Sequence, residues 1–86
     1  MTSLIDILGM NIKLIRTMRD MSQEDVAKAC GLTQNVVSDI EQGKSNPTLM
    51  TVHKISRGMG VGVTTLLNDY LLRELYSDAM KKEETV

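Results

Sequence analysis

Apolar residues recur at the helical period near the start of the chain. With Leu8 as the reference of a helical wheel, Ile5, Ile12 and Ile15 fall within about 60° of it. This stripe predicts a first helix over about 3–19. Gly9 lies inside it, and because glycine costs about 1 kcal/mol relative to alanine in a helix, it predicts a later start or a bend.

A second, shorter helix is marked by its start and stop signals. Ser22 is a suitable N-cap, and Asp25 three residues later completes a capping box. Met21 and Val26 have the spacing of a hydrophobic staple across this cap. Gly31 ends the helix.

A third helix follows after about three residues. Thr33 caps it, Val37 and Ile40 face the core, and Gly43 is its natural C-terminal stop. Two short helices joined by a tight turn containing glycine, with the small Ala27 at their crossing, form a helix-turn-helix arrangement.

Two further helices complete the prediction. Thr48 follows Pro47 as an N-cap, and an apolar repeat then marks a fourth helix: Leu49, Val52, Ile55 and Met59. A fifth helix begins near Val63 and continues to about residue 80. The predicted fold is therefore all-α, a compact bundle of five helices.

Composition agrees with packed helices. The chain has 86 residues, and its apolar content comes from Leu, Ile, Val and seven Met, with Tyr70 and Tyr76 as the aromatic residues. We expect one small domain over 1–80, in which 67–80 is a dimerisation extension of helix 5, and a solvated tail over 81–86.

The sequence argues against several classes of function. A single cysteine, Cys30, excludes an internal disulfide, and with the single His53 it cannot form a metal-ligand cluster, so we expect neither metal nor cofactor. Cys30 is expected to be a small buried hydrophobe and His53 a surface residue. There is no catalytic constellation and no apolar run of roughly 20 residues, so we expect a cytoplasmic protein that is not an enzyme.

The predicted third helix has an unusual outward face. It carries uncharged hydrogen-bonding side chains and one carboxylate, from Gln34, Asn35, Ser38, Asp39 and Gln42. In the major groove of DNA, Gln or Asn pairs with adenine, Asp accepts from cytosine, and Ser accepts or donates. This face is therefore suited to recognising a base sequence.

Phosphate contacts must then come from other residues. The candidates for the DNA backbone are Gln23, Lys44, Ser45, Asn46 and Arg19, with Lys13 as a further possibility. The formal net charge is −1, although the acidic excess belongs mostly to the C-terminal part. This balance indicates a salt-dependent affinity.

The spacing of these residues resembles the repressors and controller proteins of the lambda repressor, Cro and Xre type. The resemblance spans about 8–67 and is carried by Gly9, Ile12, Ile15, Arg16, Ser22, Gln23, Val26, Ala27, Gly31, Thr33, Ser38, Ile40, Glu41, Gly43, Pro47, Leu49, Ile55, Met59, Val61, Leu66 and Leu67. It implies a two-fold dimer on double-stranded DNA with helix 3 in the major groove. It also implies that Gln23 and Gln34 contact DNA and that Arg16 pairs with Glu41. The remaining base-contact candidates vary with the operator in such proteins; they are Thr33, Asn35, Ser38 and Asp39.

The helices carry more apolar surface than one small core needs. The candidate dimer interface consists of Leu71, Leu72, Leu75, Tyr76, Met80, Leu14 and Met18. The alternative is a larger intrachain core in which helix 5 folds back over helix 1. Two recognition helices on successive major grooves lie about 34 Å apart, so a dimer predicts an inverted-repeat operator.

The sequence as a whole predicts a sequence-specific transcriptional regulator, most simply a dimeric repressor. A controller of a restriction-modification operon and an autoregulating antitoxin fit the same residues. A protein-interaction module with a vestigial helix-turn-helix is the alternative from another class.

Overall fold

The computed structural model describes residues 3–75 as a bundle of short helices. They are α1 (Leu4–Met18), α2 (Gln23–Cys30), α3 (Gln34–Glu41), α4 (Leu49–Met59) and α5 (Val63–Leu66). A last helical segment, α6, covers 71–75. Within the described range there is no strand, and the predicted all-α class is confirmed.

The helices begin at the predicted capping residues. The Ser22 hydroxyl accepts from the Asp25 N–H at 3.0 Å, and the Asp25 carboxylate accepts from the Ser22 N–H at 2.8 Å. Hydrogen bonding to the Asp25 carboxylate, first from the Ser22 backbone N–H and second from the Ser22 hydroxyl, lowers the pKa of this carboxyl group. Thr33 and Thr48 cap α3 and α4 in the same way. Local side-chain chemistry therefore fixes where the second, third and fourth helices start.

All the helices contribute to the core: α2 packs against α3 and α4, and α1 packs against α3 and α5. Its buried apolar residues are Leu8, Ile12, Ile15, Val26, Ala27, Cys30, Val37, Ile40, Val52, Ile55, Met59, Leu66 and Leu71. The predicted α1 stripe is confirmed, although Ile5 is only half-buried. Leu49, the first residue of the apolar repeat that predicted α4, is 80% exposed, because it begins the helix ahead of the turns that pack.

Gly9 neither delays nor interrupts α1, contrary to the expectation from helix propensity. A Cβ added at Gly9 would collide with the backbone carbonyl oxygen of Ile40, and it would lie 3.0 Å from that of Glu41. Glycine at this position allows the backbones of α1 and α3 to approach closely. The tertiary contact therefore offsets the propensity cost.

The predicted fifth helix is divided, which corrects the expectation of one helix from 63 to 80. The buried Asn11 side chain donates through Nδ2 to the carbonyl oxygens of Leu66 and Asn68, both at 2.8 Å. In a continuous helix these oxygens would accept from backbone N–H groups four residues later. The Tyr70 N–H bonds instead to Asn68 Oδ1 at 2.9 Å. Asn11 thus stabilises a turn between α5 and α6.

This turn returns α6 to the core. Leu71 is only 5% exposed, and its side chain packs inside its own chain, so the structure does not support its predicted place in the dimer interface. Leu14 and Leu75 are half-buried against the same core, whereas Met18 and Leu72 are exposed. The predicted interface residues Tyr76 and Met80, and the predicted tail over 81–86, lie outside the described residues.

Replacement of Gly9 by alanine tests the close crossing of α1 and α3. We expect Gly9→Ala to destabilise the fold by about 1–3 kcal/mol, because the added methyl group forces the two backbones apart. Met10→Ala, at the exposed neighbouring position, is the control and should be near neutral. Urea unfolding followed by circular dichroism measures both. A more stable Gly9→Ala protein would show that helix propensity dominates at this position.

Candidate nucleic-acid interface

The turn between α2 and α3 fixes the direction of α3. Gly31 adopts φ +69°, and the Leu32 N–H donates to the Ala27 carbonyl at 2.9 Å, which closes the end of α2. On the rear of α3, Val37 and Ile40 are buried against the bundle. The eight-residue α3 is therefore held by its rear while its opposite face remains open.

The open face carries the predicted base-contact side chains. Gln34, Asn35 and Asp39 are exposed, and Ser38 is half-buried. Thr33 is exposed as well, with its hydroxyl accepting from the Val36 N–H at 3.3 Å as the α3 cap. The structure thus brings together on one surface all five residues predicted to contact bases.

The predicted ion pair between α1 and α3 is present. Arg16 donates through Nε to Glu41 Oε2 at 2.7 Å and through a terminal nitrogen to Oε1 at 2.9 Å. The other terminal nitrogen of Arg16 donates to the Met21 carbonyl at 3.0 Å. The Glu41 side chain is only 3% exposed. Hydrogen bonding to Glu41 raises the pKa of Arg16 against the opposing effect of desolvation.

Gln23 joins this network from the start of α2. Its Nε2 donates to Glu41 Oε1 at 3.2 Å. An amide nitrogen carries two hydrogens, so one remains for an external acceptor such as a phosphate oxygen. Because the side chain is half-buried, its direction is restrained before any DNA arrives.

The loop between α3 and α4 carries the second set of residues that were predicted to contact the DNA backbone. The Lys44 N–H donates to the Asp39 carbonyl at 2.9 Å, which places the loop against the end of α3. Lys44 and Asn46 are exposed and Ser45 is half-buried. Lys44 thus brings a positive charge close to the end of α3.

Arg19 is not part of this surface. Its guanidinium donates to the carbonyl oxygen of Met59, and its side chain lines an apolar groove with Val61 and Leu71. That contact lies at the C-terminal end of α4, about 16 Å along the helix from its first residue. Unsatisfied carbonyls at a helix C-terminus attract cations, which explains the position. The predicted phosphate contact of Arg19 therefore lacks structural support.

Two further polar contacts were not anticipated from the sequence. One is the turn made by Asn11, and the other is a bond between outward-facing α3 residues, in which Gln42 Nε2 donates to Ser38 Oγ at 2.9 Å. The spacing of four residues was the available signal for the second contact. No comparable signal marks Asn11, because its partners are more than fifty positions away.

The remaining candidate residues have ordinary roles. Cys30 is buried, its Sγ lies 3.9 Å from the Ile55 carbonyl oxygen, and desolvation raises the pKa of its thiol. His53 is exposed on α4.

Over residues 3–75 no group of three His, Cys, Asp or Glu could hold a metal ion. No helix in that range is long and apolar enough to cross a bilayer.

Comparison with known proteins gives consistent similarities. A family model described as helix-turn-helix matches residues 12–66. The immunity repressor protein of Bacillus phage phi105 is 30% identical over 78 residues, which cover 90% of this chain and 54% of that protein. The control protein C.BamHI of Bacillus amyloliquefaciens is 40% identical over 70 residues, covering 79% of this chain and 86% of that protein.

A solved structure has the same arrangement of helices. The crystal structure of a hypothetical transcription factor from Neisseria superposes with a TM-score of 0.73 at 33% identity, and the match covers 77% of this chain and 76% of that one. The present chain spans only about half the length of the phage repressor.

Removal of the Glu41 charge tests the buried ion pair. We expect Glu41→Gln to destabilise the protein by about 3–5 kcal/mol, because Arg16 would be left without a counter-charge. Glu24→Gln in the exposed Lys28–Glu24 pair is the matched control and should change stability by less than about 0.5 kcal/mol. The free energy of unfolding in urea measures both. Equal effects of the two substitutions would mean that the pair does not anchor α3.

Proposed function

The chain belongs to the helix-turn-helix family of lambda repressor, Cro and Xre type, and we propose that it is a sequence-specific DNA-binding transcriptional regulator. Its simplest action is repression, in which a dimer covers an operator that overlaps a promoter. The observation that carries this proposal is the exposed polar face of α3, fixed from behind by buried residues. We assign no catalytic step and no cofactor, and we place the protein with the DNA in the cytoplasm.

Base recognition is assigned to the exposed side chains of α3. Gln34 and Asn35 lie in its first turn, and each can form a bidentate pair with adenine in the major groove. Asp39 lies one turn later and can accept from the amino group of cytosine. Thr33 and Ser38 supply hydroxyl groups on either side. These are contacts of different chemistry on one rigid helix, which is what discrimination between base pairs requires.

Affinity for DNA is assigned to contacts with the DNA phosphate backbone on both sides of α3. Gln23 sits at the N-terminus of α2, where free backbone N–H groups favour a phosphate. The loop residues Lys44, Ser45 and Asn46 lie at the other end of α3. Phosphate contacts orient a protein on the duplex without specifying its sequence, so the two tasks fall on different residues.

A second copy of the chain is the proposed protein partner. Two-fold symmetry would place two α3 helices about 34 Å apart on an inverted-repeat operator. Of the predicted interface, Met18 and Leu72 are the exposed described residues, with Leu14 and Leu75 half-buried beside the core. We propose this surface, together with Tyr76 and Met80, as the dimer interface.

The structure also supports a second candidate interface. Leu49 and Met50 are 80% and 63% exposed, and they line one apolar groove with Val63. Adjacent exposed apolar residues of this size are typical of protein contacts. This surface directly follows the α3–α4 loop, so it would place the two-fold axis close to the recognition helices.

A restriction-modification controller is the second candidate function. The similarity to C.BamHI favours it, because this chain covers most of that control protein. A controller and a repressor would use the same DNA-binding face. The position of the operator relative to the promoter distinguishes them.

Substitutions at Gln34 and Lys44 test the division between base and phosphate contacts. We expect Gln34→Ala to weaken binding to a selected operator by about 1–3 kcal/mol with little effect on random duplex. Lys44→Ala should weaken binding to both and reduce the slope of log affinity against log salt by about 1. Fluorescence anisotropy with two duplexes at several salt concentrations measures these effects.

Arg19→Ala is the control for the loss of a positive charge, because its guanidinium is bound to the Met59 carbonyl. Arg19→Ala should leave the slope of log affinity against log salt unchanged. Equal losses on both duplexes for Gln34→Ala would exclude Gln34 from base recognition. If the unmodified protein shows no salt-dependent binding to any duplex, it is an interaction module and the proposed function is wrong.

Charged substitutions distinguish the two candidate interfaces. We expect Leu72→Glu to weaken dimerisation at least tenfold, because it would bury a carboxylate between two protomers. Leu49→Glu, at the second surface, should leave the dimer intact. Sedimentation equilibrium at several protein concentrations measures both. The reverse result would move the interface to the surface of Leu49, Met50 and Val63, and a monomer at all concentrations would reject the dimer.

A further inference from the structure

The exposed face of α3 contains an internal hydrogen bond that bears on base recognition. Gln42, the C-cap of α3, donates through Nε2 to Ser38 Oγ at 2.9 Å. The two residues are four positions apart, so their side chains are neighbours on the same face. Ser38 is one of the residues proposed to contact a base.

The hydroxyl proton of Ser38 decides whether this residue can donate a hydrogen bond to a base. A serine hydroxyl can donate one hydrogen bond and accept two. Within a helix it often donates to the carbonyl four residues earlier, as the Thr17 hydroxyl does to the Lys13 carbonyl at 2.7 Å. Among the described residues, Ser38 makes no such bond to the carbonyl of Gln34. It accepts from Gln42 and keeps its own proton free.

We propose that Gln42 is a positioning residue for specificity, which holds Ser38 as a hydrogen-bond donor toward the base that it faces. This inference rests on the proposed function. A donor at Ser38 matches the acceptors of guanine and thymine and the N7 of adenine, whereas cytosine presents an amino donor there. The pair therefore selects against cytosine at one position of each half-site.

The neighbouring residue has the opposite chemistry. Asp39 is exposed and can only accept while it is ionised. The Gln42 amide occupies one of the two acceptor positions of the Ser38 hydroxyl, which weakens the ability of Ser38 to accept from a base and so to duplicate the preference of Asp39. With Gln42 bound, adjacent residues of α3 present one donor and one acceptor, which distinguishes two successive base positions.

Substitutions at Gln42 change the direction of this hydrogen bond. In Gln42→Glu the carboxylate accepts the Ser38 proton, so Ser38 becomes an acceptor toward the base. Gln42→Asn is the matched control, because it keeps the amide but is one methylene too short to reach Ser38. Ser38→Ala identifies the operator position at which Ser38 acts. All these side chains are exposed or half-buried, so the fold should be retained.

The experiment selects bound duplexes from a randomised pool with the full chain and sequences them. We expect Ser38→Ala to remove the preference at one position per half-site. Gln42→Glu should shift that same position about fivefold toward cytosine or adenine, whose amino groups donate, and Gln42→Asn should only relax it. A general loss of affinity from the added negative charge would act on all positions equally.

The double variant Ser38→Ala with Gln42→Glu separates direct from indirect effects. If Gln42 acts through Ser38, the double variant shows the same preferences as Ser38→Ala alone. An unchanged base preference in Gln42→Glu, or in Ser38→Ala, would overturn the inference while leaving the proposed function intact. If the unmodified protein selects no motif, the proposed function itself fails.

Discussion

The buried carboxylate of Glu41 is the interaction on which the orientation of α3 depends. A helix of eight residues is not stable alone in water, so its direction must come from packing and from its ends. Val37 and Ile40 hold its rear, and Glu41 at its last position is bound by Arg16 and Gln23. An unpaired charge at this depth is costly, so alternative packings of α3 that separate Glu41 from Arg16 are disfavoured. The pair contributes to the specificity of the fold more than to its net stability.

The distribution of charge separates recognition from affinity. The exposed face of α3 offers amides, hydroxyls and the Asp39 carboxylate, and none of its predicted base-contact residues is basic. Such a face forms directional hydrogen bonds and gains little from phosphate attraction. The Lys44 loop and the N-terminus of α2 flank this face and carry the proposed phosphate contacts. A recognition surface without basic residues, between two proposed phosphate-binding ends, makes base identity, more than total charge, decide the preferred site.

Local sequence signals predicted most of the fold, because capping and periodicity act over a few residues. Ser22 with Asp25 and the caps Thr33 and Thr48 correctly located the starts of three helices. The errors all involve contacts between distant segments. Gly9 predicted a late start or a bend in α1, but its missing side chain allows α1 and α3 to approach closely. Asn11 divides the predicted fifth helix by donating to a backbone carbonyl far along the chain.

The same limit explains the outcome for the predicted site. The open face of α3 could be predicted, because the positions that face the core determine those that do not. Arg19 could not be placed, since its partner is a backbone carbonyl at the end of another helix. The bond between Gln42 and Ser38 follows from helical spacing, but its direction requires the positions of both side chains. Sequence thus predicted which side chains face outward, and the structure adds which of them form hydrogen bonds to one another.

Helix α1 is the common support of the DNA-binding face and of the C-terminal segment. Arg16 on α1 binds α3, Gly9 brings the two helices together, and Asn11 fixes the turn from which α6 begins. In a two-fold dimer the spacing of the recognition helices must match the repeat of the duplex, so the path from α3 to the interface must be rigid. If the dimer interface lies on α1 and α6, α3 is connected to that interface through α1, which is one continuous helix held by the polar contacts of Arg16 and Asn11. Bending α1 would then change operator spacing without any change in the base-contact residues of α3.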